Sequence, residues 1–193
     1  MEKRSKVEGL LTGKGREKIS NLGFRGMTFI MKLMDLFTNY SSRNIRNLNI
    51  ISGQTVIDYG CGPARYIKDA SRMVGTSGKV IAIDIHPLAI KIVVDKIKKY
   101  KLSNVDAILA TGYKTEIESE IADVVYALDM FHMIEQPKEL LTELGRLVKM
   151  DGRVIIEDGH QPRSETKMKI EDSKIFKIVR ETKSFVECIK MKR

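Results

Sequence analysis

The chain has 193 residues, enough for one domain with a proper core and too few for two large ones. Hydrophobic content of 42% and charged content of 31% are those of an ordinary soluble globular protein, and two cysteines, Cys61 and Cys188, exclude a disulfide framework. The net charge of +9 is uneven: residues 1–50 carry +6, residues 51–160 carry −2 and residues 161–193 carry +5.

No apolar run approaches the roughly 18 to 20 residues that cross a bilayer, and no apolar stretch follows the charged start Met1–Lys6, so neither a membrane span nor a signal peptide is expected. A reducing cytoplasm is the simplest expected location. The basic ends read either as a face for nucleic acid or anionic substrates, or as a lysine-rich solubilising surface. No aromatic residues are interleaved with the charges as a stacking platform requires, which favours the second reading.

Residues 1–22 are polar, carry several glycines and read as a loosely held arm. From Phe24 to Phe37 the character changes: Met27, Ile30, Met31, Met34 and Phe37 recur at spacings of three and four, which predicts an amphipathic helix. That stripe suits a helix packed on the core, or an adaptable methionine-rich lid over a ligand. A second short helix is expected near Ser41–Leu48.

Beyond Gly53, strand-like and helix-like segments alternate. Strands are expected over Val56–Tyr59, Lys79–Ile85, Val105–Ala110, Ala122–Leu128 and Arg153–Glu157. Helices are expected over Ala64–Met73, from Pro87 through Ile97, and over Gln136–Lys149, with a polar helix or turn from Lys114 to Glu120. A turn at Met150-Asp151-Gly152 should close the third of these helices. Such alternation predicts a parallel sheet with helices on both faces. After a short helix near Ser164–Asp172, the runs Ile175–Arg180 and Phe185–Met191 are separated by four residues, which permits an antiparallel hairpin but not a parallel crossover. The expectation is a doubly wound, mostly parallel α/β sheet finished by a hairpin, with residues 1–50 as arm and cap helices and residues 51–193 as the main domain.

The stretch that organises the rest is Thr55–Arg65. Three β-favouring residues run into an acid and then Gly60-Cys61-Gly62, which predicts a buried strand ending in a turn whose backbone can approach a ligand closely. In an open α/β sheet the ligand lies beyond the carboxyl ends of the strands. Asp84 ends the second strand 24 positions after Gly60, where a carboxylate accepts from both hydroxyls of a ribose. A dinucleotide fingerprint wants a third glycine where this chain has Arg65, which argues against a pyrophosphate ligand.

The order Asp58-Tyr59-Gly60-Cys61-Gly62-Pro63-Ala64, Ala122–Ile134 and Glu143–Val154 resembles the class I S-adenosylmethionine-dependent methyltransferases. The similarity is greatest to the small-molecule group around the ubiquinone/menaquinone-biosynthesis methyltransferases. The resemblance covers residues 53–160 well and implies a Rossmann-like seven-stranded fold. It departs at Ala64, where the family usually has a glycine, and at Asp129, where many members have a small or amide residue. Alanine is a mild change if the backbone there is helical.

By that resemblance the cofactor is S-adenosylmethionine, with S-adenosylhomocysteine as product. Gly60, Cys61 and Gly62 lie along its methionine portion, Asp58 organises the turn, Asp84 holds the ribose, and Ile85 and His86 flank the adenine. Gly112 and Tyr113 meet the adenine edge, and Leu128 and Asp129 line the floor below the sulfonium. Cys61 has no neighbouring base and is not a nucleophile. Asp129 and His132 are the candidate catalytic groups, with His160 and Asp158 also near the expected mouth. No metal ion is assigned to any residue. The implied reaction is methyl transfer to a small, partly apolar molecule. The alternatives are an RNA or protein acceptor reached through the basic ends, or a non-catalytic S-adenosylmethionine-binding partner protein.

Overall fold

Runs of Val, Ile and Tyr between glycine-bearing turns dictate where the strands lie, and the computed structural model describes residues 19–192 of the chain. Most of the arm expected over residues 1–22 therefore lies outside the described residues, although Asn21 and Leu22 are already helical. The elements in order are α1 (Asn21–Thr38), α2 (Tyr40–Arg46), β1 (Thr55–Tyr59), α3 (Ile67–Val74), β2 (Lys79–Asp84), α4 (Pro87–Tyr100), β3 (Val105–Leu109), β4 (Ala122–Ala127), a 3₁₀ turn (Phe131–Met133), α5 (Pro137–Leu147), β5 (Val148–Glu157), α6 (Arg163–Ser173), β6 (Phe176–Glu181) and β7 (Phe185–Lys190). The strands form a seven-stranded sheet in the order β3-β2-β1-β4-β5-β7-β6. β1, β2 and β3 pair in parallel, β4 pairs in parallel with β5, and β7 runs antiparallel to both β5 and β6. The doubly wound fold and the closing hairpin are both as the spacing predicts.

The described residues divide into two compact units, one of residues Ile19–Gly112 and one that runs from Tyr113 to residue 192. In the first, β1 and β2 are buried along nearly their whole length, while the edge strand β3 is buried only at Val105 and half-buried or exposed beyond it. In the second, β4 is almost wholly buried and β6 carries Lys177, Arg180 and Glu181 at exposed positions, charges that discourage further strand pairing. The turn expected at Met150–Gly152 is an irregularity within β5, not a stop before it. The pairing jumps from Ala122 opposite Val148 to Val124 opposite Arg153. The polar segment Lys114–Glu120 forms turns and no helix.

α1 begins at Ser20, whose hydroxyl accepts from the Gly23 N–H at 3.2 Å, and ends at Asn39 in the left-handed conformation. Of its predicted apolar stripe, Met27 and Met31 are half-buried, but Ile30, Met34 and Phe37 are exposed. Phe24 and Thr28 are the buried side chains, and Phe29 is 69% and Phe37 77% exposed. The packed-helix reading of the stripe is thus corrected. The helix has apolar residues on more sides than its neighbours cover, so burial is decided by which side meets them.

Candidate functional site

The turn after β1 is built from the protein's own hydrogen bonds. The N–H groups of Gly60 and Cys61 both donate to the Ile83 carbonyl of β2, at 2.8 and 2.9 Å. The Gly62 N–H instead donates to Asp84 Oδ2 at 2.8 Å, and the other carboxylate oxygen accepts from the His86 N–H at 2.8 Å. A single carboxylate therefore ties the turn after β1 to the turn after β2. Burial pushes the Asp84 pKa up, and the N–H bonds from His86 and Gly62 only partly oppose it. Gly62 has a φ of +48°, and a Cβ placed on it would meet nothing within 4 Å. The space beside the turn is open.

The helix expected from Ala64 begins only at Ile67. Gly62 and Ala64 both have positive φ, the latter +57°, and left-handed backbone cannot continue into a right-handed helix. Ala64 is therefore not the mild helical substitution that its type suggested. It is buried in a conformation that glycine adopts freely and alanine does not.

Two side chains that sequence reasoning assigned no structural part hold this turn. Lys96 of α4 donates from Nζ to the carbonyls of Pro63 and Ala64, at 3.2 and 2.6 Å. Arg65 forks onto Asp35 of α1, with Nε 2.8 Å from Oδ2 and a terminal nitrogen 2.6 Å from Oδ1, and its guanidinium also lies over the Tyr40 ring. Burial alone would raise the Asp35 pKa. The Arg65 hydrogen bond and charge, helped by the Ser41 N–H, outweigh it and hold the carboxyl below its ordinary range. Thirty positions separate the two partners, and no local spacing announces the pair.

Asp58 is buried near the end of β1. Cys61 is buried too, and its thiol is pushed well up, first by burial and then by the charges of Asp58 and Asp84, so it stays protonated. Ile85 is exposed, and His86 accepts from the Leu88 N–H at 3.2 Å to cap α4. The His86 ring lies on the ring of Phe24 with centroids 4.3 Å apart. Gly112 is exposed, and its Cβ would also meet open space.

In the second unit, the Tyr113 hydroxyl accepts from the Gln136 N–H at 3.1 Å, at the start of α5. Leu128 is buried just past β4, and Asp129 follows, half-buried, with a φ of +56°. Aspartate tolerates this conformation better than most residues. His132, 5% exposed, sits in the 3₁₀ turn and meets His160 edge-on, with ring centroids 4.9 Å apart. One ligand-type atom from each of Asp129, His132 and His160 lies within 4.8 Å of the others. Gly159 makes this possible, because a Cβ there would fall 2.0 Å from His132 Nδ1. Asp158 is occupied otherwise: both its oxygens accept from Arg163 Nε at 2.8 Å, which also raises the Arg163 pKa. The sequence named these candidates singly. The convergence of His132 with His160, across two different loops, comes from the fold.

The model of a family described as "methyltransferase domain" matches residues 50–192. Among curated proteins, the demethylmenaquinone methyltransferase of Lactococcus lactis subsp. lactis is 26% identical over 122 residues, 63% of this chain and 48% of that protein. The ubiquinone/menaquinone biosynthesis C-methyltransferase of Salmonella arizonae is 27% identical over 128 residues, 66% of this chain and 51% of that protein. The chain thus spans about half the length of the curated relatives it matches. Among solved structures, a putative S-adenosyl-L-methionine-dependent methyltransferase from Methanococcus maripaludis superposes with a TM-score of 0.75 at 16% identity, covering 91% of this chain and 95% of that one. A SAM-dependent methyltransferase from Aquifex aeolicus gives 0.68 at 23% identity, covering 80% and 89%. At such identities the structures establish the fold. No helix among the described residues is long and apolar enough to cross a membrane.

Proposed function

This chain belongs to the methyltransferase-domain family of class I S-adenosylmethionine-dependent proteins, and from that premise we propose that it transfers a methyl group to a small, partly apolar molecule. The observation that carries the reading is the Gly62 N–H on Asp84 Oδ2, which places a carboxylate beside an open glycine turn. Each Asp84 oxygen accepts one backbone N–H and keeps acceptor capacity for a ribose hydroxyl.

On this reading Asp58, Gly60, Cys61 and Gly62 line the methionine portion, Asp84 the ribose, and Ile85, His86, Gly112 and Tyr113 the adenine, with Leu128 and Asp129 near the reacting methyl. When bound, S-adenosylmethionine supplies a methyl group already activated by its sulfonium. The chain's own contribution is then positioning, an effect worth up to about 7–11 kcal/mol when two groups are held in line. Asp129 and His132, with His160 beside them, are the groups that take a proton from an acceptor that must lose one. The described part of the first fifty residues, from residue 19, serves as the cap. The exposed Ile30, Met34 and Phe37 of α1 supply the apolar surface that an apolar acceptor needs. The relatives' names, demethylmenaquinone and ubiquinone/menaquinone methyltransferases, support a small-molecule acceptor.

The test is thermal melting with and without S-adenosylmethionine, followed by product detection against a panel of small apolar acceptors. A raised midpoint, lost in Asp84→Ala, with S-adenosylhomocysteine formed only when acceptor is present, is the expected result. No shift in the midpoint ends the cofactor reading. A shift without turnover on any small acceptor ends the substrate reading.

A further inference from the structure

We propose that Asp129, His132 and His160 bind one first-row divalent cation, and that the open positions of that ion take oxygen donors of the methyl acceptor. The second clause rests on the methyl-transfer reading, and in it the ion, by lowering the pKa of a bound acceptor oxygen, replaces the bare Asp129 and His132 as the means of removing a proton; the first clause stands on geometry alone. One donor atom from each residue lies within 4.8 Å of the other two. Ligands held at about 2.0–2.2 Å from an ion are at most about 4.4 Å apart, so a small inward turn of a side chain completes the set. His160 is exposed and can make that turn, whereas His132 is buried and fixed.

Several features of the backbone converge on this arrangement. Asp129 takes a left-handed φ of +56° immediately before the turn that carries His132. Gly159, with a φ of +62°, removes the Cβ that would fall on His132 Nδ1, and the next residue is His160. The two rings meet edge-on with centroids 4.9 Å apart. The adjacent charges do not oppose a cation. Lys169, whose Nζ is 5.7 Å from the Phe131 ring, is paired with Glu165 at 2.9 Å and donates to Gln161 at 2.6 Å. Arg163 is paired with Asp158 at 2.6 Å.

Two imidazoles and one carboxylate select zinc, iron, cobalt or nickel over magnesium and calcium, which favour all-oxygen shells. Three protein donors leave positions open, as in catalytic and not structural sites. No sequence spacing suggests the site, because His160 lies 28 residues beyond His132 on a different loop.

The experiment titrates cobalt(II) into the untagged, metal-stripped full-length protein and follows the visible absorption, with zinc calorimetry alongside. One saturating equivalent is expected, with at least ten-fold weaker binding in both His160→Ala and Asp129→Asn. The ion-free melting midpoint of His160→Ala should match the wild type, because that side chain is exposed. Acetohydroxamate, a two-oxygen probe, should shift the cobalt bands of the wild type. The ion site is overturned by the lack of a saturable single equivalent, or by His160→Ala binding cobalt as the wild type does. Unshifted bands with acetohydroxamate overturn the acceptor clause. S-adenosylmethionine binding is measured separately on the same samples. Cobalt bound without cofactor affinity sinks the methyl-transfer reading and leaves the ion site, and cofactor affinity without cobalt does the reverse.

Discussion

The glycine turn of the first unit and the Asp129–His132–His160 corner of the second are built on opposite plans. In the turn, the groups that face a ligand are backbone or one short carboxylate, and each is pinned by partners at hydrogen-bond distance: Ile83, Asp84, Lys96, and Arg65 through Asp35. In the corner, one carboxylate and two imidazoles from two loops are brought together by left-handed residues and a missing Cβ. Pinned backbone suits recognition of a ligand that never changes, the role we propose for this turn toward the cofactor. Side chains on loops are easier to exchange, which suits the acceptor-facing role we propose for this corner.

The largest effect should come from Asp84→Ala, which removes the carboxylate that orders the turn and that we propose meets the ribose. Two bonds to a charged group are lost, at about 1.5–3 kcal/mol each, so affinity for S-adenosylhomocysteine measured by calorimetry should fall about 100-fold or more. Retained affinity would mean that the turn recognises its ligand without the acid, against the comparison drawn above.

Next in size is Arg65→Met. The guanidinium is 8% exposed, and its loss leaves Asp35 partly buried without its fork, so urea unfolding should show a loss of about 2–3 kcal/mol. Arg163→Met, in the second unit, breaks the similar fork on Asp158; that arginine is more exposed, at 24%, although its carboxylate is less so, 15% against 23% for Asp35, and the cost should be about 1–2 kcal/mol. Equal costs would remove the distinction between a pinned turn and a loosely held corner.

Gly62→Ala should lower stability by only about 1–2 kcal/mol, the strain of a left-handed alanine, because its Cβ meets no protein atom within 4 Å. The same methyl group stands where we propose the cofactor approaches, so on that proposal the midpoint shift with S-adenosylmethionine should vanish in a protein that still folds. A variant that keeps the shift would show that the open space is not the cofactor's.

The smallest effect is on pH dependence, and the two acids have opposite signs. The folded-state pKa of Asp35 is lowered, so its contribution to stability is present above the ordinary aspartate range and is lost as pH falls through the lowered value. That of Asp84 is raised, so it protonates first on acidification, and this proton uptake by the folded ligand-free protein favours folding down to the ordinary range. Cofactor affinity should therefore decline at a higher pH than that at which the fold begins to melt. Parallel titrations of binding and of thermal midpoint check this, and Asp35→Asn should flatten only the acid limb of stability.

The sequence by itself determined the strands, the alternation, the closing hairpin and the acid that ends β2. Each is written in spacing: period-two and unbroken apolar runs, Gly60 and Gly62 one residue apart, and a four-residue gap between the last two strands that no parallel crossover can span. Only the tertiary structure decided the rest. Phe24 and Thr28 are buried while Ile30 and Phe37 stay in solvent, because a helix apolar on several sides is buried on whichever side meets a neighbour. α3 starts at Ile67 because Ala64 takes a left-handed φ, which residue type alone argues against. Arg65 finds Asp35, Lys96 finds the Pro63 and Ala64 carbonyls, and His132 finds His160 across separations at which sequence carries no period to read. Local spacing is set by backbone geometry, which every short segment obeys; long-range pairing is set by where whole elements pack.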